Sequence, residues 1–279
     1  MTAPAARIRA IEKHFGGIRL IRIIEDLKKY KNHIWYTAKS QLKAEVANSK
    51  LGWIWWVLEP FSFMFIYAFV YGVVFDSKEE NMPLFIFIGI TMFKFFTGVM
   101  KKSARMVKHN RDIIGKVYMP KYMLIVESIL VNGFKMVVCF LIVIPMLFFY
   151  RISITWHIIF MIPVLVILVL FTFGICCFIL HAGVYLEDLT NILDIVVRLL
   201  RYLTGVFYSI LKKLPYPMNI IASRWNPVAL LITSARNILV YHEELDYYTL
   251  AFWGILSVVI ACAGVQLIYN NENSYIKAV

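Results

Sequence analysis

The fold is decided by the stretch SKLGWIWWVLEP, residues 49–60, where the chain changes character. The residues before it are basic and amphipathic, whereas the run that follows, 61–75, is rich in Phe and Tyr and carries no charge. Trp53, Trp55 and Trp56 lie at this boundary, and indole side chains favour the depth at which water meets hydrocarbon. The stretch therefore predicts where the first membrane-spanning helix begins.

The overall composition excludes an ordinary soluble domain. Hydrophobic residues make up 61% of the chain and charged residues only 16%, whereas soluble domains carry about 25% charge. Eleven of the 29 Lys and Arg residues precede Gly52, and seven more lie between Lys101 and Lys121, so both clusters flank apolar segments. The net charge of +12 thus follows the positive-inside rule, and we expect a membrane rather than nucleic acid as its partner.

Six segments are long and apolar enough to cross a bilayer as helices, which need about 20 residues each. With a cytoplasmic N-terminus, the cytoplasmic pieces hold 19 Lys and Arg residues and the outer pieces six. The sequence therefore predicts an all-α integral membrane protein with both termini in the cytoplasm. Its regions are a cytoplasmic arm (1–52), a transmembrane domain (53–269) and a cytoplasmic tail (270–279). The predicted spans are 53–75, 82–100, 121–149, 156–180, 190–210 and 249–269.

Three segments outside the spans carry structure of their own. In the arm, apolar residues from Leu20 to Ile34 recur at helical spacing, which predicts an amphipathic helix in the membrane interface. The basic segment 101–120 ends at Met119-Pro120 and predicts a short cytoplasmic helix. The outer segment 211–248 contains three prolines between apolar runs, and we expect two short interfacial or re-entrant helices there.

Signatures of catalysis and of metal binding are absent from the sequence. There is no GxxxxGK[ST] phosphate loop and no HExxH pair, and the four cysteines lie inside apolar stretches. The acidic pair Glu187-Asp188 is explained more simply by the N-terminus of a helix than by a metal. We therefore expect no catalytic residue, no metal and no cofactor bound by this chain.

A charged face runs along the fifth predicted span. Asp194, Arg198, Arg201, Gly205 and Tyr208 follow one another at helical spacings of four and three residues. A charge at mid-bilayer costs at least about 2.5–3.5 kcal/mol, so this face should look into protein or a water-filled path. Asp194 and Arg198 can pair within the helix. A structural ion pair and a substrate-facing role both remain open.

An aromatic face runs along the first span. Its members recur at spacings of three and four residues, and such a face suits either helix packing or the stacking of sugar rings. Taken alone, packing is the simpler interpretation. The face consists of Trp53, Trp56, Pro60, Phe63, Tyr67 and Tyr71.

Together these features resemble the permease subunit of type-2 ABC exporters for cell-surface polysaccharides. The resemblance covers nearly the whole chain. It rests on the amphipathic arm, the stretch SQLKAEVANSKLGWIWWVLEP (40–60), the basic segment 101–120 and the stretch RWNPVALLITSARNILVYHE (224–243).

The resemblance implies the partners and the roles of particular residues. The expected partners are a separate ATPase subunit that binds ATP-Mg and a second copy of the chain. Spans one and five are expected to line the substrate path, with the arm at its cytoplasmic mouth. Path residues would be Trp53, Trp56, Phe63, Tyr67, Tyr71, Arg198, Arg201 and Tyr208. Mouth residues, which attract a pyrophosphate-linked lipid head, would be Lys28, Lys29, Lys31, Lys39 and Lys43. Residues of the ATPase-coupling helix would be Arg105, Lys108, His109, Asn110, Arg111, Asp112 and Lys116.

The implied function is ATP-driven export of a lipid-linked polymer across the bacterial cytoplasmic membrane. The polymer would be a wall teichoic acid or a polysaccharide such as O-antigen or capsule. One alternative is a type-2 ABC permease for drugs or small lipids. Another is a membrane-embedded enzyme of glycan assembly, which would need clustered acidic residues where the sequence has dispersed ones.

Overall fold

The computed structural model describes residues 17–47, 49–75, 79, 81–110, 119–153 and 155–278, and these ranges contain helices and no strand. Short 3₁₀ turns precede α2 and α5, and π turns extend α2 to Val74 and α9 to Tyr241. The helices are α1 (Gly17–Ala47), α2 (Trp55–Phe69), α3 (Met82–His109), α4 (Tyr122–Phe149), α5 (Met161–Tyr185), α6 (Leu189–Leu203), α7 (Ile210–Lys213), α8 (Met218–Trp225), α9 (Pro227–Arg236) and α10 (Tyr247–Ala278).

Five helical segments in the described ranges are long and apolar enough to cross a membrane. They coincide with the first four predicted spans and the last. The second helix is longer than predicted, because α3 continues through residues 101–109. Most of the remainder of the predicted cytoplasmic helix, 111–118, lies outside the described residues. The spanning segments are Gly52–Val74, Met82–His109, Tyr122–Phe149, Trp156–Tyr185 and Tyr247–Glu272.

The expectation of one continuous helix over 190–210 is wrong. The helix α6 has 15 residues and ends at Leu203, and Gly205 then adopts a positive φ of 61°. Glycine accepts this left-handed conformation without steric cost and so ends a helix readily. At about 1.5 Å per residue, α6 is about 22 Å long, which is less than the ~30 Å hydrocarbon core.

The core is built around α3. In the most apolar 18-residue stretch of α3, 78% of the residues are buried, compared with 11% in the corresponding stretch of the first span. Glycines allow close approach of its neighbours: Gly183 of α5 lies against the backbone of Ala104, and Gly174 of α5 against Ala261 of α10. Small residues at such crossings let helices pack tightly where no water drives them together.

The structure has helices in both the arm and the outer segment. The arm helix α1 packs on α4 and buries Ile34 and Ala38. In the segment 211–248 the structure has three short helices instead of two. The third, α9, is buried against α3 and α5, so its apolar residues face protein.

Candidate functional site: an aromatic groove and an inner pocket

Two aromatic side chains of the first span stack on Phe207, which follows the Gly205 turn, and a third stacks on one of these two. The ring of Tyr67 stacks on Phe207 at 3.8 Å between centroids, and Tyr71 lies 5.7 Å from the same ring. Phe63 stacks on Tyr67 at 6.3 Å and remains 42% exposed. We call this set, Phe63, Tyr67, Tyr71 and Phe207, the aromatic groove. The periodicity of the first span could not predict the contact with Phe207, because the position of Phe207 depends on the end of α6 at Leu203.

The two tryptophans of the predicted face do not join the groove. Trp56 meets Phe134 of α4 edge to face at 5.9 Å, and the Lys135 ammonium lies 5.9 Å from the Trp56 ring. Trp53 is 60% exposed at the start of the span. The continuous aromatic face predicted from the sequence therefore has two parts. Trp53 and Trp56, near its N-terminal end, lie outside the groove, whereas Phe63, Tyr67 and Tyr71 belong to the groove.

A charged cluster lies beside the aromatic groove. The Lys94 ammonium is 2.6 Å from the Glu59 carboxylate, so the two side chains form an ion pair between α3 and α2. Arg201 lines the same cavity of about 100 Å³ as this pair, together with Phe63 and Tyr67. The structure thus brings three predicted path residues to one cavity and adds an ion pair to it.

The other members of the charged face of the fifth predicted span have different environments. Asp194 pairs with Lys101 of α3 at 2.5 Å, so the predicted pairing with Arg198 inside α6 is replaced by one between helices. Arg198 is exposed. Tyr208 is half-buried, and its hydroxyl donates to the carbonyl of Tyr202 at 2.7 Å.

Arg236 holds the break after α6 in place. This side chain is 3% exposed and donates to three carbonyls, those of Phe85 (3.1 Å), Gly205 (2.8 Å) and Val206 (2.7 Å). Its guanidinium also lies 3.4 Å from the centroid of the Phe85 ring. A Cβ at Gly89 would collide with this guanidinium, so the glycine makes the approach possible. In the sequence, Arg236 was only one of the six Lys and Arg residues counted in the outer pieces, although it interrupts the largely apolar run 228–240.

A large inner pocket opens at the other end of α3, between α1, α4 and α6. Its volume is about 730 Å³. Three of the predicted coupling residues, Arg105, His109 and Asn110, line it. The full lining is Thr37, Gln41, Ala44, Glu45, Lys101, Lys102, Arg105, Met106, His109, Asn110, Leu124, Glu127, Ser128 and Thr190.

Two side chains of the arm make polar contacts with α3 and α4 at the inner pocket. The Glu45 carboxylate lies 3.5 Å from the Lys102 ammonium and 2.5 Å from that of Lys135. Gln41 donates to Glu127 at 2.5 Å. The arm is therefore tied to α3 and to α4 by polar contacts that could exchange with a ligand.

The other predicted mouth and coupling residues that the structure describes lie outside the pocket lining. The five mouth lysines are exposed on α1. Lys108 points to the surface, 3.6 Å from Glu187. Arg111, Asp112 and Lys116 fall outside the described residues.

Two polar clusters at helix ends were not foreseen. Lys121 and Glu272 form a pair at 3.2 Å, with side chains only 1% and 9% exposed. At the opposite membrane face Asp246, just before α10, accepts hydrogen bonds from Thr249 and pairs with Arg224 at 3.1 Å. Burial alone would raise the pKa of Asp246, but these hydrogen bonds and the Arg224 charge together lower it.

Within the part of the chain that the structure describes, no group of three or more His, Cys, Asp or Glu side chains could hold a metal ion. The aromatic groove and the inner pocket contain stacked aromatic rings, paired charges and hydrogen-bonding groups.

Comparison with known proteins adds an independent observation. Residues 32–240, about three quarters of the chain, match the family described as ABC-2 type transporter. An O-antigen export system permease protein of Myxococcus xanthus is 24% identical over 260 residues, covering 93% of this chain and 100% of the relative. A protein of the same description from Klebsiella pneumoniae is 25% identical over 229 residues, covering 81% of this chain and 86% of the relative.

Proposed function

The chain belongs to the ABC-2 type transporter family, and from that premise we propose that it is the permease subunit of an ATP-driven exporter of a lipid-linked cell-surface polymer. Relatives that align over most of the chain are described as permeases of O-antigen export systems. A polysaccharide of the O-antigen type is therefore the first candidate, ahead of capsule and wall teichoic acid. The protein would act in the bacterial cytoplasmic membrane.

The observation that carries the proposal is the aromatic groove beside the Glu59–Lys94 pair and Arg201. Exposed aromatic rings such as Phe63 can stack on the apolar faces of sugar rings. The adjacent charges can bind hydroxyl or phosphate groups, and Arg201 can hold a phosphate with two parallel hydrogen bonds. Charged groups within membrane-spanning segments are costly, which favours a functional reason for placing three of them together.

The contacts of α6 support six crossings with both termini in the cytoplasm. Thr190 accepts from Arg105 Nε at 2.9 Å near the end of α3, whereas the Val206 carbonyl lies beside Gly89. Between Arg105 and Gly89 the helix α3 rises about 24 Å. The broken segment therefore runs antiparallel to α3 through most of the bilayer, and we count it as the fifth crossing. The short helices α7–α9 would then form the re-entrant outer segment.

The partners follow from what the chain lacks and what it exposes. Its sequence has no phosphate loop, so ATP-Mg would bind to a separate ATPase subunit that docks at the end of α3 and on the segment after it. The first span leaves most of its apolar side chains exposed or half-buried in the single chain. Lipid and a second copy of the chain would cover this surface and enclose the path.

Export in membrane vesicles tests the proposal. We expect inverted vesicles that contain this chain and its cognate ATPase to take up a lipid-linked polymer when ATP is added. Vesicles with a hydrolysis-dead ATPase, or without this chain, serve as controls. Export that continues in either control would refute the proposal, and transport of small amphiphiles in place of the polymer would favour a drug or lipid permease.

A further inference from the structure

A further cavity lies between the start of the fourth span and the segment that leads into the last span. We call it the outer pocket, because in the proposed topology both of these spans begin at the outer boundary of the membrane. Its volume is about 190 Å³, which is roughly six times the volume that a water molecule occupies in the liquid. A small polar group fits a space of this size. The lining is His157, Phe160, Ile238, His242, Glu243, Glu244, Leu245 and Tyr247.

The charged side chains of the outer pocket are acidic. Glu243 and Glu244 line it, and its lining contains no Lys or Arg, although the chain has 29 of these residues and a net charge of +12. Within the part of the chain that the structure describes, neither carboxylate has an ion-pair partner. Arg224, a cation of the same outer segment, pairs with Asp246 at 3.1 Å. Two carboxylates without a compensating charge attract a cation.

Two imidazoles add hydrogen-bonding groups that lack partners. Nδ1 of His157 and Nε2 of His242 are buried, and neither makes a hydrogen bond among the described residues. The other nitrogen of His242 lies 3.5 Å from the Thr155 hydroxyl, which is longer than a good hydrogen bond. A buried polar atom without a partner costs free energy, so a ligand that donates an N–H to such a nitrogen is favoured.

Aromatic rings complete the wall of the outer pocket. Phe160 and Tyr247 pack edge to face at 5.9 Å between centroids, and His157 stacks on Phe160 at 6.3 Å. Aromatic faces attract cations, and organic ammonium groups are bound in this way. A bare metal ion fits less well, because among the described residues no three His, Cys, Asp or Glu side chains could hold one.

We propose that the outer pocket binds a primary ammonium group. The carboxylates of Glu243 and Glu244 balance its charge, and an imidazole nitrogen of His157 or His242 accepts one of its hydrogen bonds. A primary ammonium has three N–H donors, as a Lys side chain does, whereas a quaternary ammonium has none, so the acceptors of the pocket select the primary form. The group belongs either to a phosphatidylethanolamine head group of the outer leaflet or to a small free amine. This binding is independent of the polymer that the chain exports.

Calorimetric titration of the full-length chain in micelles of an uncharged detergent tests the site. The probe is a short-chain phosphatidylethanolamine, compared with the phosphatidylcholine that has the same acyl chains. We expect the ethanolamine lipid to bind about fivefold more tightly or better, because its ammonium donates charge-assisted hydrogen bonds that a trimethylammonium cannot donate. Equal affinity for the two lipids would overturn the assignment.

Free ethanolamine distinguishes the two sources of the ammonium group. If it displaces the short-chain lipid but binds about tenfold more weakly or worse, the site takes the lipid head group, since the remainder of the lipid adds affinity. If free ethanolamine binds as tightly as the lipid, the site takes a small amine. Failure of saturating ethanolamine to displace the lipid would show that the lipid binds through another part, and the proposal would be wrong.

A pair of double variants tests the carboxylates. Glu243→Gln/Glu244→Gln should weaken binding of the ethanolamine lipid about fivefold to tenfold, since charge-assisted hydrogen bonds become neutral ones. The matched control is Glu187→Gln/Asp188→Asn, which removes another adjacent pair of exposed carboxylates far from the lining and should bind as wild type does. Wild-type affinity in the first variant, or an equal loss in the control, would refute the proposal.

His157→Phe separates a ligand contact from a structural role. Phe keeps an aromatic ring beside Phe160 but has no nitrogen. Because Nδ1 of His157 has no partner among the described residues, its loss should not lower the unfolding temperature of the ligand-free chain. The variant should nevertheless bind the ethanolamine lipid about threefold more weakly or worse. A lower unfolding temperature with unchanged affinity would assign His157 to packing and refute its role in binding.

Discussion

Replacement of Arg236 by Met is expected to destabilise the protein strongly. Among the described residues, Arg236 is the one hydrogen-bond donor to the carbonyls of Gly205 and Val206. The carbonyl of Phe85 lies inside α3 and retains its helical hydrogen bond. A buried polar group left without a partner costs about 1–3 kcal/mol, so loss of both turn contacts should cost about 2–6 kcal/mol.

The chain carries its own probes for this measurement. Cys139, Cys176 and Cys177 are buried, so a thiol-reactive fluorescent dye reports unfolding in detergent as they become accessible. Equilibrium unfolding in mixed micelles then gives the change in free energy. Arg224→Met is the matched control, because Arg224 is an exposed arginine of the same outer segment and its pair with Asp246 should contribute at most about 1 kcal/mol.

A conservative variant tests the geometry of the contact. Lys at position 236 keeps the charge but lacks the planar fork, so it can serve fewer carbonyls at once and should lie between Met and wild type. The reasoning is refuted if Arg236→Met is no less stable than Arg224→Met. It is also refuted if Arg236→Lys matches wild type, since the fork would then be unnecessary.

Three further predictions concern other parts of the chain. Tyr67→Ala removes the 3.8 Å stack on Phe207 and should lower the rate of polymer export in vesicles, and an unchanged rate would assign the stack to packing alone. Glu272→Gln removes a carboxylate that pairs with buried Lys121 and should lower the free energy of unfolding by about 1–3 kcal/mol. Lys121→Met/Glu272→Leu removes both charges and should lower it less, and equal losses would contradict this. The pKa of Asp246 is lower in the folded state than in the unfolded state, where it is about 3.9. The ionised carboxylate therefore stabilises the folded state at pH values above about 3.9, and this contribution is lost as the pH falls through the folded-state pKa. Unfolding of Asp246→Asn should therefore differ from wild type at neutral pH and converge with it in acid, and a constant difference would disprove the assignment.

Much of the helical layout could be predicted from the sequence, because long apolar runs have few other stable conformations in a membrane. The joint at residues 49–60 marks the start of the first span as predicted. The break in the segment 190–210 could not be predicted. Its charged face was recognised, but the break depends on Gly205, and a single glycine inside a helical pattern does not reveal whether the helix continues.

The candidate site was likewise predicted only in part. Phe63, Tyr67 and Arg201 were named from periodicity, and the structure brings them to one cavity. Phe207 and Glu59 were missed because periodicity along one helix carries no information on contacts between helices. Trp56 shared the periodic face but packs on Phe134, since a face about 30 Å long meets different neighbours along its length.

The sequence by itself determined that this is a multi-span helical membrane protein, because hydrocarbon forces apolar segments of sufficient length to satisfy their backbone hydrogen bonds as helices. It also indicated the family, through motifs that are local in the chain. Only the tertiary structure decided where charges find partners. Arg236 meets carbonyls of two distant segments, Lys94 meets Glu59, and Glu45 bridges the inner pocket. These pairings form because a buried charge takes whichever opposite charge or dipole the packing brings near, and packing joins residues far apart in the chain.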